Sequence, residues 1–95
     1  MNEVNYPKNM YVKIDSKEDF SKSIRFALKH IPTKIDSGHH LSKYWAKQHY
    51  SDLVKFVVFD WNNKFKSYVI TMRTNMTESE ITYTCINDIL DKVSD

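Results

Sequence analysis

Met10, Val12 and Ile14 alternate with Tyr11, Lys13 and Asp15, and that period of two predicts a short strand with one buried side. The spacing then turns helical. Ser16 is a good N-cap, and Glu18 and Asp19 place negative charge in a first turn, where the helix dipole favours it. Phe20, Ile24, Ala27, Leu28 and Ile31 line one face, and Pro32 stops the helix. Glu18, Lys22, Arg25 and Lys29 fall on the opposite face as a mainly basic stripe.

Residues 33–40 read as a loop holding the only glycine, in Asp36-Ser37-Gly38, where small polar side chains bond the backbone and glycine accepts positive φ. Leu41, Tyr44, Trp45 and Gln48 fit a short helix that Tyr50-Ser51-Asp52 ends. Valine and aromatic residues make 53–61 the most strand-like stretch, and 65–73 returns after a turn at Asn62-Asn63-Lys64. A three-residue loop sets Asp60 opposite Lys66 and Trp61 opposite Phe65, an ion pair beside an aromatic pair. Val54, Phe56, Val58, Tyr68, Ile70 and Met72 are then expected to share the core face. Further on, Thr77 and Glu80 have capping-box spacing, with Met76 placed to staple against Ile81. One long final helix is expected, burying Ile81, Cys85, Ile89 and Val93 with Ile86 and Leu90, while Glu80, Thr84, Asn87, Asp88 and Asp91 face water. The predicted order is β-α-(short α)-β-β-α, an antiparallel hairpin packed by helices: a small α+β domain.

At 95 residues there is room for a single core over 1–95, behind a polar leader at 1–8. An aromatic content of 14% is enough to fill it, since each ring buries about 150–250 Å². No apolar run approaches the roughly 18 residues that span a bilayer, and the N-terminus has no signal-peptide apolar stretch. The expectation is therefore no membrane and a cytoplasmic location. A lone cysteine, Cys85, inside the predicted buried stripe fits a reducing compartment. The formal net charge of +2 conceals a division: residues 75–95 hold five acids and one base, giving −4, and the remainder holds 13 bases and 7 acids, giving +6. Such a division can steer approach to a charged partner. Of the 14 bases 12 are lysines, which make fewer bidentate phosphate contacts than arginines do.

Chemistry-bearing motifs are few. His39 and His40 are adjacent, with His30, His49 and Asp36 near in sequence, but no HExxH or paired CxxC spacing would converge ligands on a metal. Cys85 on an apolar stripe would resist ionisation, and no serine sits in a Gly-x-Ser-x-Gly elbow. One glycine cannot build a phosphate cradle. The expectation is no enzyme, no metal and no cofactor. A more promising surface is the hairpin side away from the predicted core, where Val57, Phe59, Trp61, Phe65 and Val69 join Lys55, Arg73 and the turn residue Lys64. Aromatics among cations form protein-binding hot spots or stack bases and neutralise phosphates.

Met10-Tyr11-Val12-Lys13-Ile14 resembles the first-strand motif of RNA-recognition domains, and Lys55-Phe56-Val57-Val58-Phe59 resembles their basic-aromatic octamer, without its glycines. The element order is similar to that of bacterial mRNA-interferase toxins, which implies a ribonuclease using Arg73, Lys55, Tyr68 and His49. In composition, rich in Lys, Asn, Ile and Tyr, the chain resembles accessory proteins of phages and mobile elements, anti-restriction and anti-CRISPR inhibitors among them. The leading expectation is a non-enzymatic binding module, an inhibitor or regulator that engages a host or cellular protein. Its expected contacts are Trp61, Phe65, Lys64, Arg73, Phe59 and Lys55, flanked by Trp45 and Tyr44. Nucleic-acid binding through that face with Lys22, Arg25 and Lys29 is the alternative, and a small ribonuclease comes third. Monomer and homodimer stand equally open.

Overall fold

The computed structural model describes residues 6–93; positions 1–5 of the expected leader, and Asp95, lie outside the described residues. Five strands form one mixed sheet in the order β2-β4-β3-β1-β5, where β1 is Asn9–Lys13, β2 Thr33–Lys34, β3 Phe56–Asn62, β4 Ser67–Arg73 and β5 Thr84–Cys85. Helices α1 (Lys17–His30), α2 (Lys43–His49) and α3 (Asn87–Lys92) complete the α+β fold. None of the helices among the described residues is long and apolar enough to cross a membrane.

The first half follows its local signals. Met10, Val12 and Ile14 are buried along β1. Ser16 Oγ accepts the Asp19 amide at 3.2 Å while the Asp19 carboxylate accepts the Asp15 amide at 2.9 Å, so both caps of the helix start are filled reciprocally. Phe20, Ile24, Phe26 and Ala27 bury against the sheet, whereas Leu28, expected inside, is partly exposed. After Pro32, the residues expected to form a loop instead place Thr33 and Lys34 beside Tyr68 and Val69, making β2 a parallel edge strand. The amides of Lys13 and Asn87 close the other side: Asn87 Oδ1 accepts from Lys13 N at 2.8 Å, and Asn87 Nδ2 donates to Lys13 O at 3.0 Å. That side chain imitates one more residue of strand beside β1, beyond the two pairs β5 supplies.

The hairpin register differs from the expected one. Trp61 lies opposite Tyr68 and Asn62 opposite Ser67. Asn62 Oδ1 accepts the amides of Lys64 and Phe65 at 2.9 and 3.0 Å, and Lys66 takes the left-handed conformation at φ 54°. Those bonds make the loop four residues long, and the odd shift in pairing exchanges the faces of β3. Val57 and Phe59 therefore join Tyr68, Ile70 and Met72 on the helix-covered face, with Trp61 packed at its margin. Phe59, expected at the surface, is 0% exposed, its ring 6.4 Å from Phe26 and 6.5 Å from Tyr68.

The single long final helix is also corrected. Its capping box does form, with Thr77 N donating to Glu80 Oε1 at 2.9 Å and Glu80 N to Thr77 Oγ1 at 3.3 Å. It opens only a 3-10 turn, Glu80–Thr82, because Tyr83 and Thr84 after it favour extension, and Thr84–Cys85 then pair with β1 as β5. Ile81 and Cys85, expected inside, are exposed; Ile86 and Leu90 reach the core, with Ile89 and Val93 packed against it. The connection from β4 to β5 thus crosses the sheet face opposite the helices and seals Val58 there.

Phe59→Ala should lower the unfolding free energy by about 3–5 kcal/mol. Under the expected register the loss would be that of a surface ring, roughly 0.5 kcal/mol. Urea denaturation of the two proteins decides between them.

Candidate binding groove between the first two helices

Residues of α1 and α2 enclose an open groove of about 530 Å³. From α1 come Phe20, Ser21, Ile24 and Arg25, which the i, i+1, i+4, i+5 spacing places on one stripe. From α2 come Lys43, Tyr44, Ala46 and Lys47. Ser42 caps α2, its Oγ accepting the Trp45 amide at 3.1 Å, and so fixes which α2 residues face α1. The floor is apolar and low, because Ser21 and Ala46 are small while Phe20 turns inward against Tyr50, ring centroids 4.7 Å apart. Long cationic side chains, Arg25, Lys43 and Lys47, stand around it, and among the described residues no carboxylate lines it. Among the described residues no carboxylate pairs with Lys43 or Lys47.

Tyr44 is the groove's aromatic wall. Its ring is 72% exposed, yet Gln48 Nε2 donates to its hydroxyl at 3.1 Å one turn along, which restrains the side chain before any partner arrives. Neighbouring Trp45 points the other way, half-buried and stacked on His49 at 4.2 Å, with His49 Nδ1 2.8 Å from Trp45 O. A smaller cavity of about 350 Å³ beside them is lined by Trp45, His49, Asp36, Val54 and β4 side chains.

The surface expected from sequence does not assemble. Trp61 and Phe65 are half-buried at the turn end of the hairpin: Trp61 Nε1 donates to Asn63 Oδ1 at 2.9 Å and its ring meets Tyr68 edge-on at 5.1 Å. Phe65 lies on Gly38, where an added Cβ would come within 3.3 Å of its ring, and Lys34 Nζ sits 5.4 Å from the ring centroid. Arg73 and Lys55 are at the opposite end, since Arg73 pairs with Phe56, five residues from Trp61 or about 17 Å along the strand. Arg73 is moreover held by Glu80 at 3.2 Å. Lys64 stays exposed in the turn, apart from Tyr44 and Trp45 on α2. Of the basic stripe on α1, Lys22 is paired with Glu18 at 4.0 Å and Asp91 at 3.5 Å, Lys29 is exposed, and Arg25 lines the groove. The fold thus brings together one residue from each expected surface, Tyr44 and Arg25, and adds Ser21, Lys43 and Lys47. The lysines had a legible signal: Lys43, Tyr44 and Lys47 share a face of any helix drawn through them.

On the sheet face away from the helices, Tyr11 and Phe56 meet edge-to-face at 6.0 Å with Lys13 opposite Phe56. Exposed Cys85 donates through Sγ to Asn87 Oδ1 at 3.1 Å beside them. Among the described residues, no group of three or more His, Cys, Asp or Glu is placed to hold a metal ion. Comparison of the chain with protein-family models, curated proteins and solved structures found no match.

Three tyrosine hydroxyls are held above the ordinary value of 10.0: Tyr68 by burial and then by Tyr6, Tyr83 by its hydrogen bond to Asp60 and then by burial, and Tyr11 by burial and then by Cys85. A raised value in the folded state means the unfolded chain ionises first, so the stability these groups contribute is complete below pH 10 and is lost as pH climbs past it. The melting temperature should fall above pH 10, and Tyr68→Phe should flatten that fall; thermal melts from pH 8 to 11 read both.

Proposed function

We propose that this chain is a small non-enzymatic binding module that engages another protein through the α1/α2 groove, acting as an inhibitor or regulator by occluding its partner's surface. One observation carries the reading: an apolar floor open to solvent beside a large exposed aromatic ring that is already restrained. Hot spots at protein interfaces favour tyrosine, tryptophan and arginine around a desolvated pocket, and Tyr44 and Arg25 occupy such positions here. Restraint of Tyr44 by Gln48 lowers the ordering cost of binding. Compositional likeness to accessory proteins of phages and mobile elements supports a host factor as the partner. The location consistent with that partner is the cytoplasm.

A second reading, binding of single-stranded nucleic acid, draws on Tyr11 and Phe56 with Lys13 on the opposite face. Stacking on rings flanked by cations is the chemistry of such binders.

Two substitutions separate the readings while leaving the core intact. Tyr44→Ala removes the exposed wall, and Ser21→Trp fills the floor. Each should reduce capture of a host protein from lysate by roughly tenfold or more, with melting temperature unchanged. Capture that is indifferent to both changes would remove the groove from consideration. Labelled oligonucleotides that bind tightly at 50 mM salt and release steeply at 200 mM, with loss in Tyr11→Ala, would establish the second reading instead.

A further inference from the structure

Resting on the groove as the contact surface, we infer that the partner element it takes is an acidic amphipathic helix, one bulky apolar side chain seated on the floor and carboxylates set a turn to either side. Charge decides the sign. Arg25, Lys43 and Lys47 surround the groove, and among the described residues no acid lines it and the two lysines carry no ion pair. Three acids of the described residues are committed elsewhere: Glu18 and Asp91 bind Lys22, and Glu80 binds Arg73. An incoming carboxylate therefore displaces no partner among the described residues at Lys43 or Lys47.

Shape decides the form. Ser21 from α1 and Ala46 from α2 are the smallest side chains lining the groove, which leaves room for a large apolar residue between the helices. Lys43 and Lys47 are one turn apart, about 6 Å, the spacing at which carboxylates repeat along one face of a partner helix. Leu28, one turn beyond Ile24 and partly exposed, extends the apolar stripe past the groove's end. A helix laid in such a channel uses its i, i+3, i+4 apolar face for anchoring and its flanks for charge. A phosphate backbone would satisfy the lysines equally, but of the two rings lining the groove among the described residues Phe20 is turned against Tyr50, which leaves Tyr44 alone at the wall to stack a base.

The test is fluorescence anisotropy with a labelled, alanine-based peptide of about 16 residues, with leucines at i, i+3 and i+4 and a few glutamates on the flanks of that face. Companion peptides replace every glutamate by glutamine or by lysine. The wild-type protein should bind the glutamate peptide roughly tenfold more tightly than the glutamine one at low salt. Lys43→Glu with Lys47→Glu should abolish that preference and favour the lysine peptide. Equal affinity for glutamate and glutamine peptides overturns the acidic partner and leaves protein binding at the groove standing. Glutamate-peptide binding unaffected by Tyr44→Ala and Ser21→Trp removes the groove itself. Displacement of the peptide by single-stranded DNA at equal concentration, or no binding of any peptide, overturns the inference as well.

Discussion

Two hydrogen bonds accepted by one side-chain oxygen set the arrangement on which the remaining contacts depend. Asn62 Oδ1, holding the amides of Lys64 and Phe65, lengthens the hairpin loop to four residues with Lys66 left-handed, and so fixes which side of β3 is inside. With Phe59 turned inward, Phe26, Tyr68, Met10 and Ile70 have a ring to pack around. Were the pairing displaced by one residue, Asp60 would be driven under the helices and Phe59 into water. A buried carboxylate without a partner is costly, which makes the alternative registers uncompetitive.

The same choice gives the sheet two unequal sides. All three helices crowd one, and their mutual packing leaves the channel between α1 and α2. The other is crossed by the β4–β5 connection, pinned by the Arg73–Glu80 pair and by Tyr83 bonded to Asp60. That strap explains how Val58 can be fully buried on a face without helices. Arg73 belongs to this strap, so its cation is committed to holding the chain together.

Local rules made about half of this visible in the residues alone. Strong signals with short reach held: the β1 alternation, the Ser16 cap, the α2 span and even the Thr77–Glu80 capping box. What failed required information from afar. Thr33 and Lys34 are strand only because Tyr68 and Val69 lie beside them, and two residues cannot announce that by periodicity. Ile81 and Cys85 mimic a helical stripe, yet the extended preference of Tyr83 and Thr84 and the open edge of β1 prevail there. Hairpin register was undetermined because both faces of β3 are apolar, Val57 and Phe59 on one and Phe56 and Val58 on the other. The groove was partly legible: Arg25 and Tyr44 were each noticed, but on separate surfaces, since only tertiary packing sets α2 against α1.

The amide of Asn87 that doubles as a peptide group against Lys13 has a bearing on solubility. Sheets whose outermost strand shows bare donors and acceptors recruit further strands and grow into fibres. Here the outer strand β5 is only two residues long, and just past it the Asn87 side chain takes up the backbone groups of Lys13, so little of the β1 edge is left bare. So short a continuous run of free backbone on that flank is a poor template for strand addition.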